Sequence, residues 1–143
     1  MTLTSQLSAL ESSGLIQLAQ TQPEVEYHFR HALVQDATYA SLLKADRKHL
    51  HEKVGSILEQ LYPEQLKELA PLLGHHFAEA GADEPAIKYL SLAGDVAAGR
   101  YANAEAIIHY TRAIEIARHS PHVELSAHLF SQRGRALELS GRF

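Results

Sequence analysis

Histidine is the residue type with the most chemistry to offer in this chain: ten stand among 143 residues, and there is no cysteine. An imidazole can ligate a metal or carry a proton near neutral pH. His28 and His31 stand three apart in "HFRHALVQDATYASLL", residues 28–43, where a β-like tripeptide runs into an apolar helix. A metal centre needs three or four converging ligands and groups that orient them. No carboxylate at convergent spacing accompanies the pair, so the stretch reads as a seam between two modules. Arg30 and His31 are expected to satisfy backbone groups at the strand-to-helix junction. His75 and His76 project about 100° apart on a helix, and His49 and His51 about 200° apart. Neither pair is placed to share an ion, and no H-E-x-x-H arrangement exists.

Other reactive arrangements are also missing from the sequence. Without cysteine there are no disulfides and no thiolate metal sites. Serines are plentiful, but no G-x-S-x-G elbow holds one. No G-x-x-x-x-G-K-S/T loop is present to cradle phosphates. Asp83 and Glu84 sit where capping and the helix dipole account for them. The expectation is therefore no catalytic residue, no cofactor site and no metal site. What remains are contact surfaces. In "KADRKHLHEK", Lys44, Arg47 and Lys48 are candidates for meeting an acidic partner or a phosphate, although Glu52 within the cluster also fits an ordinary solvated helix face. Tyr89, Tyr101 and Tyr110 are candidates for lining a concave partner-binding surface, or for packing between helices.

Composition narrows the class. Hydrophobic residues make up 45% and charged ones 21%, with a formal net charge of −4. That permits a sizeable core and argues against a dedicated nucleic-acid binder, which is usually basic. No apolar run approaches the roughly 18 residues that span a bilayer. The N-terminus lacks a basic-then-apolar leader. A cytoplasmic location is expected, and the lack of cysteine is compatible with it.

The elements that position these residues follow from periodicity. Leu3, Leu7 and Leu10 mark a helix that Ser12–Gly14 stop. Leu15–Leu18 reads as a strand, "AQTQPE" as a turn, and Val25, Tyr27 and Phe29 alternate as a half-buried strand. From residue 31 onward only helices are predicted. Ala32–Leu43 is apolar on most sides and so should be enclosed by neighbours. The next helix, started by Asp46, should bury Leu50, Val54, Ile57, Leu58 and Leu61. Leu66, Leu69, Leu73 and Phe77 form the stripe of another, stopped by Gly81, with Pro71 expected in a first turn. Asp83 and Asn103 are predicted to cap two further helices. These carry Ile87, Leu90, Ala93 and Ala97, then Ala106, Ile107, Tyr110, Ala113, Ile114 and Ala117. A last helix carries Leu125, Leu129, Phe130, Leu137 and Leu139. Gly74, Gly94 and Gly134, with Ala86, Ala106 and Ala113, are expected at close helix crossings. Paired helices with short connections and small residues at the crossings point to an α-α superhelix, a solenoid.

Three stretches resemble tetratricopeptide (TPR) repeats: "LLGHHFAEAGADEPAIKYLSLA", "NAEAIIHYTRAIEIA" and "SQRGRALELSGRF". The match is degenerate, because Ala86 and Ala106 are 20 residues apart where a strict repeat has 34. In order, "FRHALVQDATYASLL", "LLGHHFAEAG" and "YANAEAIIHYTRAIEIA" resemble the bacterial STAND-type ATPases. These are often fused to class III adenylate or guanylate cyclase domains, or to LuxR/SARP-type DNA-binding domains. The resemblance covers roughly residues 3–143. It implies residues 1–30 as the helix and β-wing of a winged helix, 31–63 as a helical linker, and 64–143 as TPR-like repeats cut short in the last one. It places nucleotide chemistry upstream, so the chain is expected to be a non-catalytic regulatory piece of a longer protein. Its partners would be a protein, a peptide or the parent's own domains, and the truncated repeat would offer a face for a homodimer. The alternative is the arm of a LuxR/SARP-type transcriptional regulator that senses a ligand or partner. DNA binding by residues 1–30 is disfavoured, because helix 3–12 has no Lys or Arg to neutralise phosphates.

Overall fold

The structure, a computed structural model, describes residues 2–121 and 126–141. Among them the chain is mainly helical, with seven α-helices and one two-stranded antiparallel sheet. It divides into two compact units, residues 1–43 and 44–143.

In the first unit, α1 (Leu3–Ser12) begins at Thr2, whose hydroxyl accepts the Ser5 N–H at 3.3 Å. Gly14 follows it with φ +76°, a left-handed conformation that suits a residue without a Cβ. Strands β1 (Ile16–Gln20) and β2 (Glu26–Phe29) pair with Ile16 opposite Phe29 and Leu18 opposite Tyr27. Arg30 donates its backbone N–H to Leu15 O at 3.0 Å. Helix α2 (Ala32–Ser41) then starts at His31, whose carbonyl accepts from Val34 and Gln35. The junction is therefore held by the main chain of Arg30 and His31. The enclosure expected for α2 is not found: none of its residues is buried, and Leu33 is 81% exposed. The apolar all-round pattern has no neighbours within this unit large enough to cover it. Ile16 is the unit's one buried hydrophobic residue among those described.

The second unit runs through α3 (Lys44–Leu61), a 3-10 turn at Pro63–Gln65, α4 (Leu66–Ala80), α5 (Asp83–Gly99), α6 (Asn103–His119) and α7 (Ala127–Leu139). Each helix packs on the next. One core cluster is built on Leu73, Phe77, Ala86 and Tyr89, with Leu58, Leu66 and Leu69 against it. A second is built on Leu90, Ala106, Tyr110, Ile114, Leu129 and Ala136. The stripes predicted for α4, α5 and α6 face these clusters.

Several local expectations are corrected. The stripe Leu50, Val54, Ile57 and Leu61 of α3 is exposed, and only Leu58 of that set joins the core. The packing face is instead Lys48, His51, Gly55, Leu58 and Glu59, set by Gly55, where the Phe77 ring lies so close that a Cβ would meet it at 3.0 Å. Pro71 lies inside α4 rather than in its first turn, because the helix already begins at Leu66. An interior proline costs about 3 kcal/mol; burial of the neighbouring Ala70 and Leu73 works against that loss. Neither Asp83 nor Asn103 caps a helix with its side chain: both are first helical residues, after Ala82 and Ala102. Gly134 meets nothing among the described residues within 4 Å of an added Cβ, so it marks no close crossing. Leu139 is exposed. The predicted helix position Leu125 and the last two residues of the repeat-like stretch "SQRGRALELSGRF" lie outside the described residues.

Two turns share one design. Gly81 N–H bonds to Ala78 O and Ala82 N–H to Phe77 O, both at 3.0 Å; Tyr101 N–H bonds to Ala98 O at 3.0 Å and Ala102 N–H to Ala97 O at 2.9 Å. This pairing of carbonyls with a left-handed residue closes a helix end. Gly81 has φ 76° and Tyr101 φ 60°. The crossings repeat too: a Cβ on Gly74 would meet Leu90 Cγ at 2.9 Å, and one on Gly94 would meet Tyr110 Cδ1 at 2.7 Å. Each partner of one set precedes its counterpart by 20 residues. The short interval has a physical meaning: α5 receives α4 on one side and α6 on another, so one helix serves both pairs.

Candidate functional site

The sequence-derived candidates fall at separate places in the second unit. Lys44, Arg47 and Lys48 occupy the start of α3. Lys44 and Lys48 are exposed, Arg47 is half-buried, and Lys48 reaches the Gly81 turn, with Nζ 3.2 Å from where a Cβ there would lie. Tyr89 and Tyr110 are 0% and 1% exposed and pack between helices. Their phenols serve as buried anchors. Tyr110 Oη donates to Asp95 Oδ1 at 2.7 Å, and burial, then this carboxylate, push its pKa far above the usual phenol value. Tyr89 Oη donates to Glu59 Oε1, and Lys88 Nζ donates to the same oxygen at 3.3 Å. Chiefly through the tyrosine bond, the Glu59 carboxyl is held below its ordinary value, while Tyr89 is raised by burial and then by Glu59. This arrangement ties α3 to α5.

Tyr101 is the one member of the tyrosine set with a presented ring, at 86% exposure. With Ala98, Asn103, Gln132, Arg135, Ala136 and Leu139 it borders a hollow of about 230 Å³, room for roughly eight waters. Asn103 Oδ1 in its wall is sealed from solvent and has no hydrogen-bond partner among the described residues. A second, open hollow of about 560 Å³ is lined by Asp83, Glu115, Ile116 and His119.

The histidines are arranged differently from the pairs that sequence spacing suggested. His28 Nε2 lies 2.9 Å from Glu26 Oε1 on its own strand. His51 of α3 meets both His75 and His76 of α4, with ring centroids 5.7 and 5.1 Å away, and the latter two are 5.5 Å apart. Nδ1 of His51 and Nδ1 of His76 are 2.9 Å apart, a hydrogen bond between imidazoles. Burial lowers the pKa of both, and the field of His75 lowers them further; Glu79 acts in the opposite sense on His51, and His51 itself lowers His76. Among the described residues no group of three or more His, Asp or Glu side chains is arranged to hold a metal ion. Spacing within one helix cannot reveal this cluster, because its hydrogen bond crosses between two helices and joins residues 25 positions apart. The legible signal was the i, i+3, i+4 run of Lys48, His51, Gly55, Leu58 and Glu59, which is polar and so escapes a search for apolar stripes.

No helix of the described residues is long and apolar enough to cross a membrane. No family model matches the chain, and neither a curated protein nor a solved structure matches it significantly.

Proposed function

We propose that residues 64–143, behind a helical linker at 31–63, act as a TPR-like superhelical arm of a multidomain bacterial signalling protein, a cytoplasmic STAND-type ATPase joined to an adenylate or guanylate cyclase. On this reading the arm binds a protein, a peptide or the parent's own domains and performs no chemistry itself, and residues 1–30 are the helix and wing of a winged helix. The observation that supports it best is the repeated crossing, Gly74 on Leu90 and then Gly94 on Tyr110, each followed by the same left-handed turn. Such a device adds helices one after another without a closed core, and so leaves a continuous outer surface for partners. Binding there would bias a switch elsewhere in the parent by favouring one of its states.

The test begins with the natural gene product, whose mass and sequence would reveal a phosphate-loop ATPase and a cyclase module. Deleting residues 64–143 from that protein is expected to alter how its nucleotide turnover responds to its regulator while leaving the turnover chemistry in place. Nucleotide hydrolysis or cyclisation by residues 1–143 alone would overturn the proposal.

A further inference from the structure

The His51–His76 contact lies midway along the α3–α4 seam, between the Lys48 approach to the Gly81 turn and the Gly55–Phe77 crossing. A hydrogen bond from Nδ1 to Nδ1 requires one ring to supply the N–H and the other a lone pair. That requirement limits the pair's protonation states. The donor ring can take a proton on its Nε2 and become an imidazolium while keeping its Nδ1–H in the bond, which then becomes charge-assisted and stronger. The acceptor ring has only the Nδ1 that is already engaged. Protonating it leaves two N–H groups and two positive charges facing each other.

We propose that the α3–α4 contact is an acid-sensitive joint, in which the His51–His76 pair holds one added proton with its hydrogen bond intact and is forced apart by a second.

The surroundings assign the order. From α4, His75 and Glu79 face His51; from α3, Lys48 lies one turn before it. Glu79 favours charge on His51, although Arg112 of α6 donates to that carboxylate at 3.1 Å and shares its field. From α5, Lys88 is turned to Glu59, two turns further along α3. His76 is influenced by His51 and His75, both of which disfavour a charge there. His51 therefore takes the first proton and His76 the second. Since both folded pKa values lie below the ordinary 6.5, the unfolded or opened state binds more protons in this range and folding stability falls as pH drops below that value, while the hydrogen bond itself parts only with the second proton. The device is independent of the arm's partner, so it stands or falls apart from the function proposed above.

The experiment is an NMR pH titration of the imidazole protons in the full chain, with amide hydrogen exchange of α3 followed over the same range. His51 and His76 should titrate in two distinct steps, and α3 protection should fall with the second step. His76→Gln, which cannot take that proton, should keep α3 protected through the same range. Should that variant not fold at neutral pH, the two-step titration of the unaltered chain decides alone. Independent titration of both rings near the ordinary value, or equal loss of α3 protection in the variant, would overturn the proposal. So would binding of micromolar Zn²⁺ by both rings, since the pair would then be a metal site.

Discussion

Tyr101 holds a backbone conformation that the equivalent turn gives to Gly81. The left-handed region costs a residue with a Cβ roughly 1–2 kcal/mol, and the exposed ring recovers little of that by packing. Tyr101→Gly is expected to stabilise the chain by about 0.5–1 kcal/mol, after subtracting the extra freedom glycine brings to the unfolded state; urea unfolding would measure it. The helical glycines separate by what surrounds them. Gly94→Ala should destabilise by about 1–3 kcal/mol, because the new methyl group meets the buried Tyr110 ring. Gly134→Ala should stabilise by about 0.5–1 kcal/mol, since it meets open space inside α7. If both substitutions moved the unfolding midpoint the same way, the crossing at Gly94 would not be as tight as the structure has it.

At the scale of elements, α3 is tied to α5 by polar groups as well as packed on α4 through Gly55 and Leu58. Glu59 accepts from Tyr89 and Lys88 of α5, and its carboxyl titrates below the ordinary 4.5. A depressed carboxyl pKa contributes stability that is present above the unfolded value and is lost as pH falls through the folded one. Tyr89→Phe removes the main cause of the depression. The variant should therefore be less stable at neutral pH, by about 1 kcal/mol for one hydrogen bond, and should lose less on acidification. Unfolding midpoints of both proteins at neutral and acid pH would show the two curves converging; parallel curves would mean that Glu59 is not linked to folding in this way.

At the scale of the molecule, buried residues are distributed unevenly. The first unit has Ile16 as its buried hydrophobic residue, while the second has two clusters that run through α4 to α7. Local stability follows buried apolar contact. Hydrogen exchange across the full chain should therefore find α4, α5 and α6 the slowest to exchange, and α1 and α2 faster by orders of magnitude. Comparable protection in α2 and α5 would show that α2 is covered in solution by something the described residues do not provide.

Much of the second unit was legible because its helices bury apolar faces at the helical period. Leu73 and Phe77, then Leu90 and Ala93, then Ala106, Tyr110 and Ala113, mark the core that the structure contains. Gly81 could be read as a helix stop, since few residues but glycine accept that φ. Local sequence thus determined which segments are helical and which faces of α4, α5 and α6 turn inward. It did not determine the orientation of α3, whose packing face is chosen by the shape of Gly55 against Phe77 and not by hydrophobicity. Nor did it determine that His51 would meet His76, or that Glu59 would meet Tyr89. Those contacts join residues 25 and 30 positions apart, and only the packing of successive helices brings such distant groups within hydrogen-bonding range.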